Sequence, residues 1–355
     1  VLRILVEMYY DFQNTRIRTS NRSLMNALRN GMTKEDLEKY GVDTLFNSSK
    51  AFEKNIEKRI RQDLKSRPIY TEYLSLIKGI GPVLAAGLIA WMQSPANYDN
   101  ISKLWQNAGL GMNQYCEECK IWVYDEVEIP KTDREGKVTR TKAKRLSGKI
   151  KICNKCGNGN HLKPHPQAKA AGLQLNWNPK FKTLCWKIGS SFIKQKATKS
   201  WYRSIYDMER AKREAKFPTS GQIEVRGKKR LQYNPKHHFE AAKRHTVKTF
   251  MANLWLAWRV LEGLNLRAPF TPKGTAKNHR FIPPVVDERE LPQLVTDKLN
   301  ELNATANCYP SDMQPDWIPR VDKTKVEDTE TQKLNDESSD NDENENSNGV
   351  SDESS

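Results

Sequence analysis

The sequence contains no apolar run long enough to cross a membrane. Its longest such stretch, residues 79–92, is a turn or two shorter than the ~18–20 residues that a membrane-spanning helix needs. The first residues also lack the charged start, apolar centre and small-residue cleavage site of a signal peptide. We therefore expect an intracellular protein, in the cytoplasm or associated with the nucleoid, without a membrane partner.

Acidic residues are scarce relative to basic ones. The 355 residues include 59 Lys and Arg but only 43 Asp and Glu, which gives a formal net charge of +16. Such an excess is typical of proteins that bind a polyanion, and we expect DNA as the partner, with RNA left open. A surface charged only for solubility is the alternative.

The charge is unevenly distributed along the chain. Residues 322–355 hold twelve acidic residues and three Lys, a net charge of −9, which leaves +25 for residues 1–321. This acidic tail has almost no apolar residues, so we expect it to be disordered. It either competes with nucleic acid for a basic face or keeps the protein soluble.

Cysteine is also rare, but four of the six cysteines form two C-x-x-C pairs. Without a secretion signal, such pairs are typical of metal ligands rather than disulfides. Four thiolates suit the tetrahedral coordination of zinc in a closed, structural site, and strands predicted at 120–130 and 148–152 would complete a zinc ribbon. The nearby His161 and His165 are predicted to face solvent or phosphate. The predicted zinc ligands are Cys116, Cys119, Cys153 and Cys156.

Hydrophobic periodicity predicts a mainly helical fold. A short helix at 33–41 is predicted to begin with Thr33 as its N-cap and Asp36 three residues later. Most aromatic residues of the segment 173–216 are expected in the core, and residues 217–234 are expected to form a polar linker. The longer helical segments are predicted at 1–30, 51–66 (with a coiled-coil-like i, i+4 stripe), 70–78, 173–216 and 237–264.

A glycine turn separates the apolar residues at 70–78 from those at 83–92. Gly79 and Gly81 permit a sharp turn, and Pro82 suits the first position of the next helix. Helix, G-I-G turn and helix form the helix-hairpin-helix pattern, which binds a nucleic-acid backbone through the N–H groups at a helix start. We expect Lys78, Gly79 and Gly81 to contact DNA. The alternative is an αα-corner in which the glycines serve packing alone.

The segment between the two cysteine pairs is strongly basic. Residues 131–151 carry nine Lys and Arg against Asp133 and Glu135, which predicts a protruding basic finger. Contact with backbone phosphates is the functional interpretation, and a solvated loop is the alternative. The finger residues predicted to contact DNA are Lys142, Lys144, Arg145 and Lys149.

The predicted architecture is a helix-hairpin-helix helical domain with an inserted small β zinc ribbon and a disordered acidic tail. The predicted parts are N-terminal helices (1–70), the helix-hairpin-helix region (71–112), the zinc ribbon with its basic finger (113–160), a C-terminal helical part (161–265), a Pro-rich extension (266–321) and the acidic tail (322–355).

The motifs "YLSLIKGIGPVLAAGLIAWM" and "YDNISKLWQNAGL" resemble the C-terminal domain of the DEDD-type insertion-sequence transposases that are guided by a bridge RNA. The segments "NPKFKTLCWKIGSSFI" and "HFEAAKRHTVKTFMANLWLAWRVL" fit the later helices of that domain. The resemblance covers roughly residues 50–265. It implies a protein of DNA transposition or recombination, with RNA guidance and self-association left open.

The resemblance also implies a serine nucleophile in an S-G pair after A-G-L, and Ser147 is the candidate. The family's nuclease domain supplies metal-binding carboxylates, but residues 1–50 contain no counterpart to its strand-Asp start. We therefore expect that domain to be missing or to belong to a separate protein, and Mg²⁺ to matter only if the chain is catalytic. The competing hypothesis is a non-catalytic zinc-ribbon module that binds DNA or RNA.

Overall fold

The computed structural model describes residues 1–132, 136–150, 152–216, 222–225, 228–231, 235–267, 282–287 and 290–305. Within these residues the protein is mainly helical with small sheets, as the sequence predicts. The predicted acidic tail at 322–355 lies outside the described residues. No described helix combines the length and the apolar character that a membrane span requires.

The N-terminal helices pack in pairs. Helix α1 (Leu2–Arg18) continues through a π-helical stretch (Thr19–Leu24) into α2 (Met25–Arg29), followed by α3 (Lys34–Lys39) and α4 (Val42–Leu64). The predicted capping box is confirmed, since the Thr33 side chain accepts from the Asp36 N–H and Asp36 accepts from the Thr33 N–H. Phe12 of α1 stacks on Phe52 of α4 with ring centroids 4.9 Å apart. Helix α4 therefore starts earlier than predicted and pairs with α1 within the chain.

The segment before the glycine turn differs from its prediction. Instead of one helix over 70–78, the structure has the short α5 (Pro68–Thr71) and a 3₁₀ turn (Leu74–Leu76). Tyr73, Leu74, Leu76 and Ile77 are all buried, and the irregular chain turns each of them inward. After the turn come α6 (Pro82–Met92) and α7 (Ile101–Asn107).

The hydrophobic core is centred on two helices, α6 and α10. Helices α8 (Pro179–Ile193), α9 (Trp201–Lys216) and α10 (Pro235–Leu261) complete the helical body. Helix α6 is buried continuously from Ala85 to Met92, and α10 is buried continuously from Phe250 to Trp258, so both helices are enclosed on every face over these residues. The aromatic residues of 173–216 are mostly in the core, as predicted, but Trp186 is 57% exposed.

The β-rich segment (residues 112–166) differs in detail from its prediction. Its strands are β1 (Met112–Cys116), β2 (Ile121–Trp122), β3 (Tyr124–Thr132), β4 (Val138–Leu146) and β5 (Leu162–Pro166). They form an antiparallel sheet in the order β2-β1-β5 and a separate β3–β4 hairpin. The described residues 148–150 and 152 form no strand, so the prediction of a strand at 148–152 is wrong. The predicted finger is instead the second half of the hairpin, because β4 pairs residue by residue with β3.

Two further elements lie in segments predicted to be irregular. The predicted polar linker contains the hairpin of β6 (Gln222–Val225) and β7 (Lys228–Leu231). The predicted Pro-rich extension contains α11 (Gln293–Thr305), which buries Val295 and Leu299 in the main core. Helix α11 is therefore part of the folded body.

Candidate metal centre and nucleic-acid interface

The four predicted zinc ligands meet at one end of the β-rich segment. Cys116 is the last residue of β1, and Cys119 follows in the turn to β2. Cys153 and Cys156 lie in a second turn between β4 and β5. All four sulfur atoms lie within 4.8 Å of one another. The structure thus assembles the cluster from two turns that are more than thirty residues apart.

The two turns have the same local construction. In each, the residue after the second cysteine adopts a left-handed conformation: Lys120 has φ +56° and Gly157 has φ +68°. Backbone N–H groups also point at sulfur in each turn, since Cys119 N–H donates to Cys116 Sγ and Lys155 N–H donates to Cys153 Sγ, both at 3.4 Å. These N–H groups stabilise thiolates, which are the form of cysteine that binds metal.

The geometry of the cluster is compatible with zinc. Tetrahedral Zn–S bonds of ~2.3 Å place sulfur atoms about 3.8 Å apart. The Sγ atoms of Cys116 and Cys156 are 3.9 Å apart. Cys116 and Cys153 are buried whereas Cys156 is exposed, so one edge of the cluster faces solvent. The donor set and its spacing therefore fit one divalent ion.

The thiols differ in acidity. Burial acts to raise the pKa of Cys153, but hydrogen bonds from the backbone N–H groups of Cys156 and Lys155 outweigh it and lower the pKa to about 6. Burial, followed by hydrogen bonds with the neighbouring thiols, raises the pKa of Cys119 to about 12. A bound cation would offset the repulsion among four thiolates. Metal binding must then release protons, so its affinity will depend on pH.

The two histidines near the cluster have other partners. The ring of His161 pairs with Glu118, and its backbone carbonyl accepts from the Glu117 N–H at 3.0 Å. The ring of His165 packs edge-on against Tyr115 at 5.3 Å and against Trp122 at 6.1 Å. Neither histidine is needed to complete the four-thiol set, but both are half-buried against protein groups rather than facing solvent or phosphate as predicted.

The hairpin that contains the predicted basic finger has strands of opposite charge, since acidic residues of β3 face basic residues of β4. Lys142 lies opposite Glu128, Lys144 opposite Glu126 and Arg145 opposite Asp125, and facing residues of an antiparallel pair share one side of the hairpin. Arg140 also lies 3.6 Å from Glu128. The cations are exposed, but each has an acidic neighbour. The hairpin is thus a much weaker positive surface than the basic run at 131–151 suggests.

Ser147 lies at the root of the hairpin, directly after the last residue of β4. It is 2% exposed, and its hydroxyl accepts the N–H of Lys149 at 3.2 Å. Its backbone N–H donates to the Val123 carbonyl, and its backbone carbonyl accepts the Gln114 N–H, both at 3.0 Å. Among the described residues, no carboxylate or imidazole hydrogen-bonds its hydroxyl. A Cβ on the adjacent Gly148 would lie 2.5 Å from the Met112 carbonyl, so packing accounts for the S-G pair.

The two glycines of the turn have different surroundings. Gly79 has φ +95°, and a Cβ there would crowd Phe192 and Ser191 at 3.2–3.3 Å. The Ser191 hydroxyl donates to the Gly79 carbonyl at 2.7 Å. Gly81 is exposed, precedes α6 and has open space where a Cβ would lie. Gly79 therefore serves packing against α8, while Gly81 presents the start of α6 to solvent.

Lys78 does not offer its N–H group to a ligand. That group donates to Asp287 Oδ2 at 2.8 Å, and the other carboxylate oxygen accepts the N–H of Trp201, the first residue of α9, at 2.8 Å. The Asp287 N–H donates to the Leu76 carbonyl at 3.0 Å. The C-terminal extension thus ties the turn to α9, a contact with no sequence signal, because Asp287 is more than 200 residues from Lys78.

A buried amide network joins the β-rich segment to the helical body. The side-chain oxygen Oδ1 of Asn113 accepts hydrogen bonds from the side-chain amides of Asn176 at 2.8 Å and Gln106 at 3.2 Å. Gln167 accepts the Gly111 N–H at 3.0 Å and donates to Asn176 at 3.1 Å. Asn113 and Gln167 are almost fully buried, so these bonds hold the segment in one orientation.

Comparison with known proteins adds no relative. No protein-family model matches the chain, and no curated protein matches it in sequence. What the protein does must therefore be argued from its own residues and from the motif resemblance.

Proposed function

We propose that this chain is a DNA-binding protein related to the DEDD-type, bridge-RNA-guided transposases, and that it serves DNA transposition or recombination as a binding rather than a cutting component. Its β-rich segment is a structural zinc ribbon, and its glycine turn is a helix-hairpin-helix that contacts the DNA backbone. The G-I-G-P turn, the A-G-L segment and the two later helices support the relationship.

The excess of positive charge carries the binding proposal. Residues 1–321 contain 56 Lys and Arg but only 31 Asp and Glu, so internal ion pairs leave a large surplus. The start of α6, which no side chain among the described residues caps, adds backbone N–H groups and the positive end of a helix dipole next to exposed Gly81. Both features attract phosphate without reading bases, which favours binding to many sequences.

The burial of Ser147 favours binding without chemistry. A serine that joins to DNA must reach a phosphate and be deprotonated by a base or stabilised by cations. Ser147 is enclosed at the hairpin root, and its hydroxyl is engaged by a backbone N–H. Phosphoryl transfer would also need the carboxylates of a nuclease domain to hold Mg²⁺. We therefore assign any cutting to a separate domain or protein.

Binding to two unrelated duplexes over a salt series tests the proposal. Neutralising about six phosphates would lower the affinity roughly a thousandfold between ~50 and ~200 mM salt, and equally on both duplexes. Gly81→Glu should weaken both about tenfold, because a carboxylate would face the phosphate. Gly81→Ala is the matched control and should bind normally, since its Cβ enters open space.

Incubation with supercoiled plasmid and Mg²⁺ tests the absence of chemistry. We expect no covalent protein–DNA adduct on denaturing gels. An adduct that Ser147→Ala abolishes would make the chain catalytic, and affinity independent of salt would contradict backbone binding itself.

A further inference from the structure

A pocket with mostly apolar walls, and with cationic side chains among its lining residues, lies where the β-rich segment meets the helical body. The cavity has a volume of about 320 Å³ and is bounded by α8, α10, the turn after α7 and the end of β5. This volume is at the lower end of the ~300–1,000 Å³ typical of small-molecule sites. Its charged and aromatic lining residues are Lys182, Trp186, His237, Glu240, Lys243 and Arg244.

Two glycines make room for the lysines of this pocket. A Cβ on Gly109 would lie 2.6 Å from the side chain of Lys182, and Gly109 also has φ +71°. A Cβ on Gly189 would lie 2.6 Å from the side chain of Lys243. Each lysine stem therefore passes where any other residue would block it. The lysines are fixed by the fold rather than free on the surface.

The cations of the pocket are held mainly by neutral groups. Lys182 donates to the Gln167 carbonyl at 2.5 Å, and Arg244 donates to the carbonyls of Leu110 and Gly111 at 3.0 and 2.7 Å. Such bonds fix the positions of the cations without cancelling their charge. Burial, followed by the charge of Arg244, lowers the pKa of Lys182.

One acidic residue faces these cations in the pocket. The lining carboxylate, Glu240, pairs with Lys243 at 3.0 Å. Three cations and one carboxylate leave a net positive charge. An anion of one or two charges would balance the pocket.

Trp186 gives the pocket an aromatic wall. Its side chain is exposed although the other aromatic residues of α8, Phe181 and Phe192, are fully buried. The Lys243 ammonium lies 4.6 Å from its ring centroid, which fixes the indole at the pocket edge. An exposed, immobilised indole in the same pocket lining as Lys182 and Arg244, whose charged groups are held by carbonyls, offers stacking and charge at one site.

We infer that this pocket binds one nucleotide of a single-stranded nucleic acid, with its base stacked on Trp186 and its phosphate facing Lys182 and Arg244. Bases within a duplex are already stacked on their neighbours, so this site selects single strands, whereas the helix-hairpin-helix contacts the backbone of either form. The inference rests on the proposed function and adds a subsite to it.

Equilibrium binding of labelled oligothymidylate and of a blunt duplex tests the inference. Trp186→Ala should weaken oligothymidylate binding about tenfold, as loss of one stacking platform does, and should leave duplex affinity within about twofold. Trp186→Phe should restore most of the loss because it keeps an aromatic face. Tyr40→Ala is the matched control, because Tyr40 is 68% exposed and does not line the pocket.

The result also separates the inference from the proposed function. Equal losses on both nucleic acids, or no loss on either, would overturn the inference, and salt-dependent duplex binding would still support the proposed function. If the wild-type chain binds neither form, both fail. Competition distinguishes the ligand: thymidine monophosphate should displace the oligonucleotide from the pocket better than inorganic phosphate at equal concentration. Equal displacement would reduce the pocket to a simple anion site and overturn the inference.

Discussion

At the scale of single residues, Cys153 provides the most direct test of the metal centre. It is buried, and backbone N–H groups lower its pKa, so it is the thiol best prepared to act as a thiolate ligand. Elemental analysis of protein purified without chelator should give about one zinc per chain. Cys153→Ser should weaken zinc binding by at least ~100-fold, since even changes outside the ligand shell cost 10- to 100-fold.

The matched control for that test is Cys185→Ala. Cys185 is equally buried but lies in the helical core, outside the four-thiol cluster. This variant should lose some stability through the missing sulfur and still hold one zinc. Zinc absent from the wild-type protein, or lost equally in both variants, would contradict a four-cysteine site.

Lys248 makes stability depend on pH in a defined direction. Burial, followed by the charge of Arg244, lowers its pKa from 10.5 to about 8. Below pH 8 both folded and unfolded chains hold the proton, so the folded state bears the full cost of a buried charge. Between pH 8 and 10.5 the unfolded chain binds more protons, so this contribution to stability rises with pH. The cost is largest at neutral pH and is relieved above 10.5.

Replacing Lys248 by Met should therefore stabilise the protein at pH 7. We expect a gain of about 1–2 kcal/mol, which is less than the pKa shift implies because the lysine is partly exposed and contacts the Trp105 ring. Denaturant unfolding at pH 7 and pH 10 measures the gain, which should shrink at the higher pH. The exposed Lys199→Met is the control. A gain that is constant with pH would show that packing, not charge, accounts for the effect.

At the scale of elements, a helix or strand can be predicted from the sequence when the residues that determine it lie within that element. Helices α6 and α10 could be predicted because their apolar residues are contiguous, and Thr33 with Asp36 predicts the start of α3 from four residues. The hairpin strand β4 could not, because its own basic sequence has no apolar alternation. It becomes a strand only by pairing with acidic β3, a contact between elements rather than a property of one.

The same distinction applies to the candidate sites. The cysteine pairs identify their cluster because ligand type and spacing are written locally. The pocket could not be predicted, because it depends on Gly109 meeting Lys182 and on Gly189 meeting Lys243, contacts between residues more than fifty positions apart. Ser147 and Gly148 show the converse. A short motif suggested chemistry where burial and backbone approach explain both residues.

At the scale of the whole molecule, the main feature is the uneven distribution of charge between residues 1–321 and the acidic tail. Residues 1–321, with a net charge of +25, and the covalently attached tail, with a net charge of −9, attract each other. If the chain binds DNA as proposed, the DNA must displace the tail or share the surface with it. This competition is electrostatic, so it should weaken as salt shortens the range of charge interactions to about 10 Å at 0.1 M.

Deleting residues 322–355 tests whether the tail acts in this way. The deletion raises the formal charge from +16 to +25, so duplex affinity should increase, and the increase should be largest at low salt. A matched variant with Ser and Gly in place of the tail's acidic residues and its three Lys keeps the length, has the same charge of +25 and should show the same increase. The deletion and the neutralised variant should show the same increase in affinity only if the charge of the tail causes it. If both bind DNA as the full chain does at every salt concentration, the tail does not screen the basic surface, and its charge serves solubility alone.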